Sequence, residues 1–166
     1  LKSEPKDFNA LHLLGIIAFQ NKNYLKSVET IKKAIEINSD YPDAYNNLAI
    51  AFDHLNKFED AIKCWDKAIE INPNYAEAYN NRGNVLIKLG KKNASFKDFE
   101  MAIKINPNFS EAYNNLGNVL KEYKKLDDAL FNYDKAIKIN PNFAEAYNNR
   151  SIVLNDLNRL DSALQS

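Results

Sequence analysis

Residues 78–86 read AYNNRGNVL, and nearly the same words stand at 44–52 (AYNNLAIAF), 112–120 (AYNNLGNVL) and 146–154 (AYNNRSIVL), a spacing of 34 residues each time. A second phrase keeps that interval: AIEIN at 68–72, then AIKIN at 102–106 and 136–140, with Pro73, Pro107 and Pro141 following it. A fixed period of this length marks a stacked-repeat architecture, because one such unit cannot bury its own apolar face. Within the first phrase Tyr45, Leu48 and Phe52 recur at i, i+3 and i+7, the stripe of a helix. The second phrase closes a further helix, since proline cannot extend the hydrogen-bond ladder and disfavours helical geometry in the residue before it.

Between the two helices of each unit lies a short polar turn, at Asn56-Lys57, Gly90-Lys91, Lys124-Lys125 and Asn158-Arg159. Only one of these offers the glycine that best tolerates positive φ. Small residues hold fixed places: Gly15, Ala49, Gly83, Gly117 and Ser151 in the first helix, and Ala34, Ala68, Ala102 and Ala136 in the second. They permit two antiparallel helices to pack at the close end of the usual ~8–10 Å separation.

These positions resemble the tetratricopeptide repeat, a 34-residue helical hairpin. The resemblance implies an all-α fold, a right-handed superhelical solenoid of antiparallel helix-turn-helix hairpins with the first helices on the concave side. Units are expected at 8–41, 42–75, 76–109 and 110–143, with a truncated fifth at 144–166 and residues 1–7 as the tail of a preceding repeat. Polar capping elements are not evident at either end, so the chain reads as a fragment of a longer array or multidomain protein. Repeat one departs from the pattern at Leu11 and Ser39, and Lys92 in repeat three predicts a looser turn there.

Composition narrows the function. Lys plus Arg number 22 against 22 Asp plus Glu, so the basic excess that nucleic-acid binding requires is missing. No stretch reaches the ~18–20 continuous apolar residues of a membrane span, and no basic-then-apolar leader opens the sequence. A lone Cys64 forms no internal disulfide, and a reducing cytoplasmic compartment is the expectation. With no HExxH, CxxC, GxGxxG or GxxxxGK[ST], neither catalysis, a metal nor a cofactor is expected. His12 and His54 read as polar surface, and Cys64 as a small packing residue.

Asparagine is the informative residue type. The pairs Asn46-Asn47, Asn80-Asn81, Asn114-Asn115 and Asn148-Asn149 fall inside first helices, where each costs roughly half a kcal/mol against alanine. Biased composition with repeat duplication is the plain account. The functional account places Asn47, Asn81, Asn115 and Asn149 on the concave side as a ladder whose amides pair with the backbone of an extended peptide. With first helices ~10 Å apart and an extended chain rising ~3.3 Å per residue, one amide meets about every third peptide unit. Asn46, Asn80, Asn114, Asn148, Asn84 and Asn118 complete the expected contact set.

The AYNN wording, with an aromatic closing each repeat (Tyr75, Phe109, Phe143), resembles arrays of the O-linked N-acetylglucosamine transferase and Spindly-like bacterial families. That resemblance implies peptide binding and, as the alternative, a substrate-recruiting arm for a glycosyltransferase-type domain outside this chain. The subgroup that clamps acidic C-termini needs inward Lys and Arg. Here Asp43, Asp53, Glu77, Glu111, Glu122, Glu145 and Asp156 oppose only Lys88 and Lys121, which favours a neutral or basic segment. Repeat one presents Leu13, Ile16 and Phe19 instead, an apolar patch suited to a covering segment, a helix or self-association. Arg82 and Arg150 replace a leucine, and their guanidinium groups are expected to find carboxylates or helix ends.

Overall fold

The computed structural model describes residues 7–164, with side chains through Leu157; the assignment of residues 1–6 to a preceding repeat lies outside it. The helices are α1 (Phe8–Gln20), α2 (Tyr24–Ile37), α3 (Pro42–His54), α4 (Phe58–Ile71), α5 (Ala76–Lys88), α6 (Lys92–Ile105), α7 (Ser110–Glu122), α8 (Leu126–Ile139) and α9 (Ala144–Leu164). Each consecutive pair from α1 to α8 is an antiparallel hairpin, and each second helix packs on the first helix of the next unit. First helices also touch one another along the series α1, α3, α5, α7, α9, whereas the second helices make no such contacts among the described residues. The stack is therefore curved with its first helices on the inner side.

Close packing rests on the small residues. A Cβ on Gly83 would come within 2.6 Å of the Phe99 ring, and one on Gly117 within 2.6 Å of Tyr133. Ile31, Trp65, Phe99 and Tyr133 occupy the same repeat position, all essentially inaccessible, and wedge the two helices of each unit. Removing a ring of this kind from a core costs roughly 3–5 kcal/mol. Alanines at the remaining contact points are fully buried, among them Ala44, Ala68, Ala78, Ala102, Ala112 and Ala136.

The intra-unit turns share one geometry. Lys22, Asn56, Gly90 and Lys124 take φ of 59°, 56°, 72° and 61°. The next N–H, of Asn23, Lys57, Lys91 or Lys125, reaches back to the carbonyl of Ala18, Phe52, Leu86 or Leu120 at 2.8–3.0 Å, closing a Schellman motif. Two lysines thus hold a left-handed conformation that costs about 1–2 kcal/mol outside glycine, because the hairpin packing on either side outweighs it. The turn of repeat three is not looser than the others: Gly90 supplies its positive φ, and Lys92 is drawn across to Glu122 at 2.7 Å. Between units, Asn38, Asn72, Asn106 and Asn140 each accept at Oδ1 from the backbone N–H two residues on, at 3.1 Å. Ser39 is harmless for this reason, since the asparagine turn forms with or without a following proline.

The fifth unit corrects the sequence reading. No turn forms at Asn158-Arg159; α9 runs through both residues to Leu164. Elsewhere the turn is held by packing of a 14-residue second helix on the first.

Candidate functional site

The inner surface is set by the outward-turned residues of α3, α5 and α7. Here the paired asparagines do something the sequence did not reveal. Asn81 Nδ2 donates to Asn46 Oδ1 (3.4 Å), Asn115 Nδ2 to Asn80 Oδ1 (3.0 Å) and Asn149 Nδ2 to Asn114 Oδ1 (3.0 Å). The second asparagine of one unit is bonded to the first asparagine of the unit before it. Asn46 also accepts from Trp65 Nε1 (3.0 Å), and Asn114 donates to Glu145 (2.9 Å). A ladder exists, and its rungs lie between repeats.

Several expected contacts are revised accordingly. Asn46, Asn80 and Asn114 are buried, the last only 1% exposed, so they face neighbouring protein and not a ligand. Asn149 is buried as well, while Asn148 is exposed. Asn47, Asn81 and Asn115 remain half-buried at the inner surface, each with its Nδ2 engaged. The signal that could have shown this was the 35-residue offset: two amides in adjacent helices, one residue apart in register, are placed to meet each other.

Asn84, Asn115 and Asn118 do come together. With Asp53, Lys88, Glu122 and the apolar Ile87, Phe99 and Val119 they line a cavity of about 410 Å³, within the range of ligand pockets. Asn118 Oδ1 accepts from Tyr133 Oη (2.8 Å), whereas Asn84 has no hydrogen-bond partner among the described residues. The rim charges are largely paired: Lys88 bridges Asp53 at 2.6 Å and Lys92 bridges Glu122. Lys92 was absent from the sequence count because it arrives from a second helix. At the outer edge Asp43, Glu77, Glu111 and Glu145 are all exposed in first turns, one carboxylate per unit, where the positive end of the helix dipole favours them.

The apolar patch of repeat one divides. Leu13 is 57% exposed, while Ile16 and Phe19 are half-buried beside α2 and α3, Phe19 packing on the rings of Tyr24 and His54. His12 is thus half-buried, whereas His54 is exposed, as expected of polar surface, with the rings of Phe19 and Tyr24 beside it. His12 stands where other repeats carry the first asparagine and meets Asn47 Nδ2 through Nε2 at 3.0 Å, the same rung in another chemistry. Burial lowers its pKa below the ordinary 6.5, with Asp43 pulling weakly the other way. A neutral imidazole is also the form that accepts the Asn47 amide. The folded state therefore binds this proton less readily than the unfolded chain, so His12 reduces stability as pH falls through about 6.5, and the loss levels off below its folded pKa. His12→Asn, which restores the rung found in the other units, should flatten this part of a urea-midpoint profile measured between pH 8 and 5; an unchanged slope would show that other groups govern it. Burial also pushes the Cys64 thiol up to about 12, which leaves it unreactive.

Models of the tetratricopeptide repeat match residues 8–41, 76–109 and 110–143, others 30–63 and 132–165, and a related TPR repeat model 54–90. The chain belongs to the tetratricopeptide repeat family. Among solved structures, MamA is 26% identical over 87% of this chain and 85% of its own, with a TM-score of 0.79. YrrB, described as a tetratricopeptide protein with an unusual peptide-binding site, is 20% identical over 96% and 82%, TM-score 0.76. The first tetratricopeptide unit of Spaghetti, bound to the HSP90 peptide SRMEEVD, is 22% identical over 72% and 95%, TM-score 0.69. No curated protein matches the chain. Among the described residues no helix is long and apolar enough to cross a membrane, and no His, Cys, Asp or Glu group is arranged to hold a metal.

Proposed function

We propose that this chain is a noncatalytic scaffold that holds an extended protein segment along its concave face, centred on the cavity between α5 and α7. The observation that carries the reading is the convergence of Asn84, Asn115 and Asn118 on that cavity, with Asn84 unpartnered. A carboxamide offers a donor and an acceptor, which suits a peptide unit whatever its side chain. Asn84 supplies both, while Asn47, Asn81 and Asn115, their Nδ2 atoms engaged between repeats, offer carbonyl oxygens to peptide N–H groups. The peptide sites named for YrrB and Spaghetti support a protein-interaction role at the level of the fold.

The ligand differs from the acidic Spaghetti peptide. The outer carboxylates and the pairing of Lys88 and Lys92 leave little positive charge for an acidic tail, so a neutral or basic segment fits. The alternative of a substrate-recruiting arm for a glycosyltransferase-type enzyme draws on the AYNN wording alone, and the reading frame around this segment tests it.

A peptide array probed with the purified chain, followed by titration of the best binder, tests the scaffold. Asn84→Ala should weaken that peptide five- to tenfold through loss of about one to two hydrogen bonds, with an unchanged unfolding midpoint. Equal affinity in Asn84→Ala would remove this cavity from the binding surface.

A further inference from the structure

The cavity between α5 and α7 carries a charge imbalance. Two carboxylates, Asp53 and Glu122, line it with one ammonium, Lys88, while Lys92 holds Glu122 from α6 and is not part of the lining. Hydrogen-bonding capacity leans the same way. Asn115 has its Nδ2 engaged by Asn80, and Asn118 has its Oδ1 engaged by Tyr133. The oxygens of Asn84, Asn115, Asp53 and Glu122 therefore outnumber the remaining amide donors of Asn84 and Asn118. Asp53, Asn84, Asn115 and Asn118 are half-buried and Glu122 is exposed, so each of these groups is within reach of a ligand.

Helix direction adds to the imbalance. Helices α3, α5 and α7 run parallel, and Asp53, Lys88 and Glu122 stand at their C-terminal ends. Those ends carry the negative pole of the helix dipole, which favours a cation. Asp43, Glu77 and Glu111 lie in first turns, with the dipole, but Asp53 and Glu122 lie against it. Lys88 meets both Asp53 oxygens through one nitrogen, at 2.6 and 2.8 Å. The two side chains are 46% and 24% exposed, so the pair is weak and exchangeable. A guanidinium does better, since its planar fork offers separate N–H groups to the two oxygens. Arg82 displays that arrangement elsewhere in this chain, donating to both oxygens of Asp98 and to Asp66.

We infer that the cavity takes an arginine side chain of the extended segment, and the inference rests on the scaffold reading above. The guanidinium displaces Lys88 from Asp53 and donates to its two oxygens, with Glu122 adding to the field. Its aliphatic stem lies along the half-buried Ile87. Each amide oxygen has two lone pairs, so Asn84 and Asn115 still serve peptide N–H groups. Lysine fits less well, because its strongly hydrated ammonium brings no fork.

N-acetyl-arginine N′-methylamide, an arginine with a peptide unit on either side, is the probe. In a ¹H–¹⁵N NMR titration of the chain at low ionic strength it should give saturable shifts centred on residues 53, 84, 87, 88, 115, 118 and 122. The citrulline analogue, which keeps the shape and loses the charge, should bind roughly tenfold more weakly. Asp53→Asn should weaken the arginine probe about fivefold, whereas Lys88→Met, which removes the internal competitor, should tighten it about threefold. Unfolding midpoints of both variants should stay near that of the parent, since the pair is exposed. Absence of saturable shifts, equal binding of the citrulline analogue, or weaker binding to Lys88→Met would each overturn the arginine pocket, the last by showing that Lys88 holds the ligand itself. For a peptide found on the array, exchanging arginine for citrulline should cost affinity in the parent and not in a chain carrying Asp53→Asn with Glu122→Gln. A binder indifferent to that exchange overturns the pocket and leaves the scaffold standing. An array without binders counts against the scaffold reading, whereas the arginine and citrulline amides judge the cavity independently.

Discussion

Changing Asn47, Asn81, Asn115 and Asn149 together to alanine will lower stability by roughly 3–5 kcal/mol, seen as a large drop in the urea midpoint. On the sequence alone these amides were expected to face a ligand. The structure adds a part in the fold, because three of them donate across the layers to Asn46, Asn80 and Asn114, although Asn47, Asn81 and Asn115 stay half-buried at the inner surface. Single variants should rank. Asn115→Ala and Asn149→Ala strand the buried oxygens of Asn80 and Asn114 and should each cost about 1–2 kcal/mol. Asn81→Ala should cost less, since its bond is long and Asn46 keeps the Trp65 donor. Repeat arrays unfold unevenly when one interface is weakened, so hydrogen exchange should locate the loss at the boundaries following α5 and α7. A quadruple variant within 1 kcal/mol of the parent would mean that the rungs contribute nothing and that the amides are free for a ligand.

Arg82→Leu should be comparably damaging, at roughly 3 kcal/mol, and Asp98→Asn in that background should restore most of it. Arg82 donates through Nε and Nη2 to both Asp98 oxygens at 2.8 and 2.7 Å, and through Nη1 to Asp66 of the preceding unit at 2.5 Å. Asp98 is only 5% exposed. Burial opposes the guanidinium charge, but the two carboxylates outweigh it and raise its pKa. Without Arg82 the Asp98 carboxylate is left charged in a near-dry site. Repeat four already carries the compensated pair, Leu116 with Asn132, whose Nδ2 bonds to Asp128 O at 2.8 Å. Asp98→Ala alone should cost less, because Arg82 keeps Asp66 and some access to water. Denaturation of the four variants forms a double-mutant cycle; additive losses in Arg82→Leu and Asp98→Asn would show that the pair is not coupled. Arg150 repeats the inter-unit contact with Asp134 at 2.6 Å, in accord with the expectation that both arginines reach carboxylates.

Legibility differed from residue to residue for physical reasons. Gly83 and Gly117 announced close helix approach because steric exclusion needs only the spacing of small residues. The Asn-Pro-Asn segments announced helix ends because the proline restriction is local. Asn46, Asn80 and Asn114 could not be assigned in the same way, since an amide in a helix bonds equally well to a peptide, to water or to another amide. His12 was opaque until Asn47 was seen beside it. Lys92, read as a turn defect, proved to be the partner of Glu122, a residue 30 positions away.

The 34-residue period is enough to establish an all-α stack of hairpins, because helix stripes, small contact residues and prolines act through neighbours in the chain. Which amides are spent between layers, and that α9 continues as helix where a turn was expected, depend on more than the local chain. Those outcomes compare the free energy of one partner with that of another, and only the packed arrangement brings the competing partners together.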